Sequence, residues 1–217
     1  MIQGAIFDMD GLMFDTEPIW TEVWEPVLAT VGVAYPHGLA NAVRGTSGKS
    51  MEAVISRFAP GVDAAYVREQ AFAMVHRRVQ EGVPKKPGLD ELLAYLHEQG
   101  IPMAVASSSA LDVIRTNLAN GGVEKYFDEL FTGVGMAHPK PEPDIFLNTA
   151  KAMGVDPAHT LVFEDSLSGV RAGVAGGFIT VMVPDLVAPD AFTKENAACI
   201  CSSLLEVRDL LAAGKLG

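Results

Sequence analysis

Two aspartates, Asp8 and Asp10, stand directly after the apolar run Ile2–Phe7 and before Gly11. Side chains two positions apart in an extended chain lie on the same side, so both carboxylates would point into one site. Like charges this close raise the pKa of at least one carboxyl unless a cation shares the site. The pattern suits one carboxylate as nucleophile and the other as proton carrier, with a metal between them. An acidic loop that only caps the next helix would give the same pattern.

Short apolar runs that we predict to be strands recur along the chain and alternate with amphipathic helical patterns. Repeated strand-then-helix units predict an α/β fold, a Rossmann-like, doubly wound parallel sheet with helices on both faces. In such sheets ligands bind beyond the carboxyl ends of the strands. The predicted strands are Ile2–Phe7, Pro102–Ala106, Leu130–Thr132, Thr160–Phe163 and Ile179–Val183, with a weaker one at Ala198–Cys201.

Polar residues follow each of the first four predicted strands, at the edge where ligands bind. Together they offer several carboxylates, one lysine and a serine at a helix start, which is a setting for a divalent metal beside an oxyanion. Oxygen ligands without a histidine or cysteine cluster favour Mg²⁺ over Zn²⁺. Beyond Asp8 and Asp10, these residues are Ser107, Ser108, Ser109, Lys140, Glu164 and Asp165.

Each of these residues also has a purely structural interpretation. Lys140 alone would be a surface lysine between prolines, and Glu164 with Asp165 would be a solvated first helix turn. Ser109 is expected to cap the following helix, and Ser107 would combine a capping role with phosphate binding. Their shared position after strands favours the functional interpretation.

The segment from residue 17 to residue 83 interrupts the strand–helix alternation. It contains three apolar stripes at helical spacing and no convincing strand, which predicts a small helical domain inserted after the first strand. The predicted core domain therefore comprises residues 1–16 and 84–217, and the inserted domain residues 17–83. Within the insert, Arg44–Ser50 imitates a phosphate-binding P-loop, but Val43 replaces its first glycine and no strand precedes it.

The composition limits the classes of partner. With a net charge of −11 and no large basic cluster, the chain is not expected to bind nucleic acid or an anionic membrane. No apolar run approaches the ~20 residues of a transmembrane helix, and the first residues do not resemble a signal peptide. We interpret the two cysteines, Cys199 and Cys201, as reduced thiols that point to opposite faces of a strand and cannot bridge. We therefore expect a cytoplasmic protein, a monomer or weak homo-oligomer.

Four ordered motifs resemble those of the haloacid dehalogenase superfamily. They read DMDGLMFDTE, VASSS, KPEPDIF and VFEDSLSGVRAG, and the match extends from residue 1 to about residue 183. Within the superfamily the chain looks like the β-phosphoglucomutase-like and phosphatase branch, in which a helical cap follows the first motif. The resemblance implies a Mg²⁺-dependent phosphatase that acts on a small phosphorylated metabolite, a sugar or nucleoside monophosphate, through an aspartyl-phosphate.

The resemblance also implies a role for each motif residue. Asp8 would be the nucleophile and Asp10 the acid and base; the dehalogenase branch lacks the second aspartate. Phosphate would be bound by Ser107, Ser108 and Lys140, and Mg²⁺ by Asp8, Asp10 (through its carbonyl), Glu164 and Asp165. Asp15 and Thr16 would lie at the cap hinge. The cap residues expected to contact substrate are Thr16, Glu17, Arg44, Gly45 and Lys49.

Two other functions remain open at this point. A phosphomutase resembling β-phosphoglucomutase would use the same motifs, but Trp20 and Leu111 occupy places where such enzymes commonly carry histidine and asparagine. A non-enzymatic receiver domain would also gather aspartates, a lysine and Mg²⁺. The large helical insert and the two-residue spacing of Asp8 and Asp10 argue against it.

Overall fold

The strands of the protein arise from the short apolar runs, because a strand covered on both faces by helices needs apolar side chains throughout. The computed structural model describes residues 1–44, 46 and 48–216. Among these residues the strands are β1 (Gly4–Phe7), β2 (Met103–Ser107), β3 (Glu129–Thr132), β4 (Thr160–Glu164), β5 (Ile179–Met182) and β6 (Cys199–Ile200).

The helices follow the amphipathic segments, and several end at a glycine. In the described part of the chain they are α1 (Glu17–Glu22), α2 (Trp24–Thr30), α3 (Leu39–Val43), α4 (Gly48–Phe58), α5 (Ala64–Gln80), α6 (Leu89–Glu98), α7 (Leu111–Gly121), α8 (Asp144–Met153), α9 (Leu167–Ala175), α10 (Ala191–Asn196) and α11 (Leu204–Ala212). Of these helices, α10 was not predicted from the sequence. The signal that could have indicated it is Asp190, a typical N-cap residue, whose side chain accepts a hydrogen bond from Thr193 N.

The strands form one parallel sheet in the order β3-β2-β1-β4-β5-β6. The predicted fold class, a doubly wound α/β sheet, is confirmed. The order reverses at β1, which pairs with β2 on one side and β4 on the other. Phe7 is level with Val105 and Phe163, so the segments that follow these strands start from the same edge. A reversal point of this kind is where open α/β sheets bind their ligands.

The sheet is held by apolar side chains that are excluded from water on both faces. Phe7 and Phe163, on neighbouring central strands, are fully buried, and their ring centroids lie 4.7 Å apart. Helices α8 and α9 pack on the sheet. One buried cluster comprises Ile6, Ala106, Ile145, Phe146, Ala150, Val162, Ala172 and Phe178.

The chain divides into two compact units, one of Met1–Asp15 with Val83–Gly217 and the other of Thr16–Gly82. The second unit contains α1 to α5, and its interior is built around Trp24, which is fully buried. Trp20 stacks on Trp24 at 6.3 Å and meets the Phe72 ring edge-on at 4.9 Å. No helix within the described residues is both long enough and apolar enough to span a membrane.

The prediction that the two cysteines point to opposite faces is wrong. Residues two positions apart in an extended chain share a face, the same rule that places Asp8 beside Asp10. Cys199 and Cys201 accordingly lie on one side of the β6 segment, with their sulfur atoms 3.3 Å apart. Cys199 is half-buried and Cys201 is buried.

Candidate active site

Asp8 and Asp10 lie in the tight turn that follows the end of β1. Asp8 N still donates to Phe163 O at 3.0 Å, so its backbone is fixed by the sheet, and the residue is only 7% exposed. The turn depends on Gly11, whose φ of +82° favours glycine. A methyl group at position 11 would also overlap the Asp165 carboxylate. Glycine here lets the first motif approach the carboxylate that follows β4.

Lys140 is the cation at the centre of this edge. Its Nζ lies 2.6 Å from Asp8 Oδ1 and 2.7 Å from Glu164 Oε1, and it donates to Ala106 O at 3.2 Å. The side chain is almost fully buried, and Nζ lies 4.8 Å from the centroid of the Phe146 ring. Burial opposes the charge, but the two carboxylates outweigh it, so the pKa of Lys140 is raised and the amine stays protonated.

Both oxygens of Glu164 are occupied within the protein. While Oε1 accepts from Lys140, Oε2 accepts from the Asp165 and Ser166 N–H groups, each at 3.1 Å, and from Ser166 Oγ at 2.9 Å. The residue is fully buried. Helix α9 makes room for it at Gly169, where any larger side chain would overlap the carboxylate. The contact with Lys140 was not anticipated from the sequence, and it orients Lys140 toward Asp8.

Carboxylate oxygens of Asp8, Glu164 and Asp165 lie within 4.8 Å of one another, so the three residues could hold a metal ion. Burial, countered in part by Lys140, and the charges of Glu164 and Asp10 raise the pKa of Asp8 to about 7. Burial, then the charges of Glu164 and Asp8, raise the pKa of Asp165 as well. The raised pKa values of Asp8 and Asp165 indicate that Lys140 alone does not neutralise the charge of the carboxylates around it. An oxygen-lined, electron-rich site of this kind fits a hard divalent cation.

Hydroxyl groups at the end of β2 hold Asp10. Its Oδ2 accepts from Ser109 Oγ at 2.6 Å and from Ser107 Oγ at 3.3 Å, and Ser107 Oγ in turn accepts from Ser109 N at 3.0 Å. The prediction that Ser109 caps the next helix is wrong, because α7 begins after Ala110 and has no side-chain cap. Ser108, predicted to bind phosphate, is exposed.

Two further residues of the first unit belong to this neighbourhood and were missed. Asp185 Oδ1 lies 2.7 Å from Lys86 Nζ, and its Oδ2 is buried without a hydrogen-bond partner in the described part of the chain. Its charge is among the causes that raise the pKa of Asp165. Asp185 follows β5 by three residues, so the rule applied to the first four strands would have found it had it been extended to the fifth.

The residues predicted to contact substrate belong to the second unit. Glu17 Oε2 accepts from Arg44 Nε at 3.0 Å, and Arg44 Nη1 also donates to Asn41 Oδ1 at 2.6 Å. Thr16 is buried, and Lys49 is exposed. Gly45, the remaining residue of this prediction, lies outside the described residues. Contact between any of these residues and substrate stays a prediction.

Comparison with known proteins identifies the family of the chain. The family model described as haloacid dehalogenase-like hydrolase matches residues 5–183. Hexitol phosphatase B of Escherichia coli (strain K12) is 31% identical over 221 residues, which cover 100% of this chain and 97% of that protein. The fructose-1-phosphate phosphatase of the same strain is 32% identical over 181 residues, covering 83% and 95%.

Solved structures support the fold. The β-phosphoglucomutase of Clostridium difficile superposes with a TM-score of 0.81 at 22% identity, over 99% of this chain and 97% of that one. The predicted enzyme class, a hydrolase of the phosphatase type, is confirmed by the curated relatives. On the matched motifs and the extent of the alignments, the chain belongs to the haloacid dehalogenase-like hydrolase family.

Proposed function

We propose that this protein is a Mg²⁺-dependent phosphatase that hydrolyses a small phosphorylated sugar or sugar alcohol through an aspartyl-phosphate on Asp8. The observation that carries the proposal is the position of Lys140 Nζ, 2.6 Å from Asp8 Oδ1 inside a group of three convergent carboxylates. A nucleophilic carboxylate beside a fixed cation suits attack on a phosphate ester, whose negative charge must be neutralised during the transfer.

The reaction divides into two displacements at phosphorus. In the first, the Asp8 carboxylate attacks the phosphorus, the ester P–O bond breaks, and Asp10 gives its proton to the departing sugar oxygen. In the second, Asp10 takes a proton from water, which attacks the phosphorus, releases inorganic phosphate and restores Asp8. The hydroxyls of Ser107 and Ser109 orient the Asp10 carboxylate for both proton transfers.

Lys140 and the metal ligands supply the positive charge that the transfer requires. Lys140 would bind an oxygen of the transferring phosphoryl group while Glu164 keeps its amine in place. Asp8, Asp165 and the Asp10 carbonyl would hold Mg²⁺, with Glu164 nearby as a ligand or as acceptor from a bound water. Mg²⁺ bound there would neutralise charge on the phosphoryl group and between the carboxylates.

We assign substrate selection to the helical unit, Thr16–Gly82, as a cap. Its place in the chain directly after the first motif supports this assignment. The names of the two sugar-phosphate phosphatases support a sugar phosphate as the substrate. Specificity between similar sugars depends on a few hydrogen bonds, since a site built to bond a hydroxyl rejects an analogue that lacks it.

A panel of phosphomonoesters tests the proposal. We expect release of inorganic phosphate in the presence of Mg²⁺, fastest from hexitol phosphates and ketose 1-phosphates, with nucleoside monophosphates and β-glucose 1-phosphate for comparison. Exchange of phosphate between C1 and C6 of glucose without net release would instead identify a phosphomutase. A long-lived phospho-aspartate with no turnover would identify a receiver domain.

A further inference from the structure

Two cysteines that have no part in the proposed reaction lie side by side at the edge of the sheet opposite β3. Cys199 belongs to β6 and Cys201 follows it, and their sulfur atoms are 3.3 Å apart. A disulfide bond is about 2.05 Å long, so the two sulfur atoms must come closer together before one can form. The sequence contains no other cysteine.

The backbone around the pair is already held in place. On one side Ala198 N donates to Thr180 O, and on the other Cys201 N donates to Met182 O, both at 2.8 Å. Helix α11 follows at once, with Ser203 as its cap. Both thiols are therefore presented on one face by a segment that β5 and α11 fix, and ordering them for reaction costs little additional entropy.

We propose that Cys199 and Cys201 form a dithiol modification site that is oxidised reversibly to an intrachain disulfide by exchange with a low-molecular-weight disulfide. The Cys199 thiolate attacks one sulfur of the small disulfide, whose S–S bond breaks and releases one thiol. The Cys201 sulfur then attacks Cys199, loses its proton to solvent and releases the second small thiol. Two electrons pass from the protein to the small disulfide, which becomes two thiols.

The order of the two steps follows from accessibility. Cys199 is half-buried, so a small molecule can reach it, whereas Cys201 is only 1% exposed. Burial and the hydrogen bond with Cys199 also raise the pKa of Cys201 to about 12, so it keeps its proton until Cys199 has reacted. Once the mixed disulfide exists, proximity compensates for the low thiolate fraction of Cys201.

A soft metal ion is the other ligand that a thiol pair could take. Structural zinc sites need four ligands, usually cysteine and histidine. Among the described residues, the cluster of three or more potential metal ligands is the one at Asp8, Glu164 and Asp165, and it does not include either cysteine. The surroundings therefore favour an exchangeable disulfide over a metal centre.

The experiment is thiol counting on the full-length protein after incubation with oxidised glutathione. We expect both thiols to become unreactive to an alkylating reagent, an intact mass lower by two hydrogen atoms, and a Cys199–Cys201 linkage in peptide maps. Dithiothreitol should restore both thiols. Two alkylatable thiols, a persistent glutathione adduct, or a covalent dimer on a non-reducing gel would each overturn the proposal.

Single variants separate the two steps. Cys201→Ser should trap a stable glutathione adduct on Cys199, because the resolving thiol is gone. Cys199→Ser should remain unmodified while folded, since Cys201 is buried; rapid modification of a folded Cys199→Ser protein would contradict the assigned order. Circular dichroism establishes that each variant is folded, and the wild-type thiol count decides the proposal even if a variant is not. None of these readouts depends on phosphatase activity.

Discussion

Charged residues are used in contrasting ways at the rim of the sheet and in the helical unit. At the rim, the side chains of Asp8, Lys140 and Glu164 are 10%, 7% and 0% exposed, and each has fixed partners. In the helical unit, Arg78 pairs with Glu22 while the two side chains remain 47% and 59% exposed. Burying a charge is costly unless it is paired, whereas an exposed pair contributes little. The buried charges at the rim therefore mark a candidate functional site, which the exposed pair in the helical unit does not.

The largest expected effect comes from removing the nucleophile at the rim. Asp8→Asn should lower the rate of phosphate release about 10⁴-fold or more, because a catalytic group that acts in concert with others is lost. The measurement is hydrolysis of an aryl phosphate with Mg²⁺. The matched control is Asp63→Asn in the helical unit, where asparagine can still cap α5 and accept from Tyr66 N. Activity retained in Asp8→Asn would refute the assignment of the nucleophile.

Next in size is the removal of the buried cation. Lys140→Met should lower the free energy of unfolding by about 3–5 kcal/mol and abolish most activity, since two buried carboxylates lose their partner. Urea unfolding measures the loss. Arg78→Met, which removes a cation from an exposed pair, should change stability by less than about 1 kcal/mol. Equal effects of the two substitutions would mean that burial does not distinguish the regions.

The pH dependence of stability gives a third test, on metal-free protein in EDTA. Folding raises the pKa of Asp8 from 3.8 to about 7, chiefly through burial. The folded state therefore holds a proton that the unfolded state has released. This contribution to stability is fully present below pH 3.8 and is lost as the pH rises through about 7. The slope for one such group is at most about 1.4 kcal/mol per pH unit.

Asp165 shifts in the same direction, so Asp8→Asn should reduce this slope rather than remove it. Mg²⁺ favours the ionised carboxylates, and its stabilising effect on thermal unfolding should be greater at about pH 7.5 than at about pH 5.5. A metal-free protein whose stability rises steadily over this interval would contradict the raised pKa of the cluster.

The smallest effect is expected in the helical unit, where we predict specificity. Arg44→Ala removes an ion pair with Glu17 whose side chains are 26% and 25% exposed, so stability should change by less than about 1 kcal/mol. Values of kcat/KM should change by about 10-fold or less, and unequally among sugar phosphates. A uniform loss on every substrate would argue against a selective contact.

The sheet and most of its rim could be predicted because apolar runs end where polar residues begin. Asp8, Ser107 and Glu164 each lie at or directly after the end of a buried strand, and parallel strands bring such ends together. Lys140 was harder, because it lies in an irregular loop before α8 whose path no periodicity describes. Its contact with Glu164 is visible only in the three-dimensional structure. The same holds for the hydrogen bond that the Ser109 hydroxyl donates to Asp10.

Gly169 carries no charge and makes no side-chain contact, yet the position of Glu164 depends on it. A homologue with alanine at this position could keep every acidic and basic motif residue. A comparison of those motif residues alone would then classify it as an intact enzyme. The displaced carboxylate could no longer hold Lys140 beside the nucleophile. The ionisable residues alone therefore do not decide whether a distant homologue is an active enzyme or a pseudoenzyme. The residue that corresponds to Gly169, in the first turn of the helix after Glu164 and Asp165, must be compared as well.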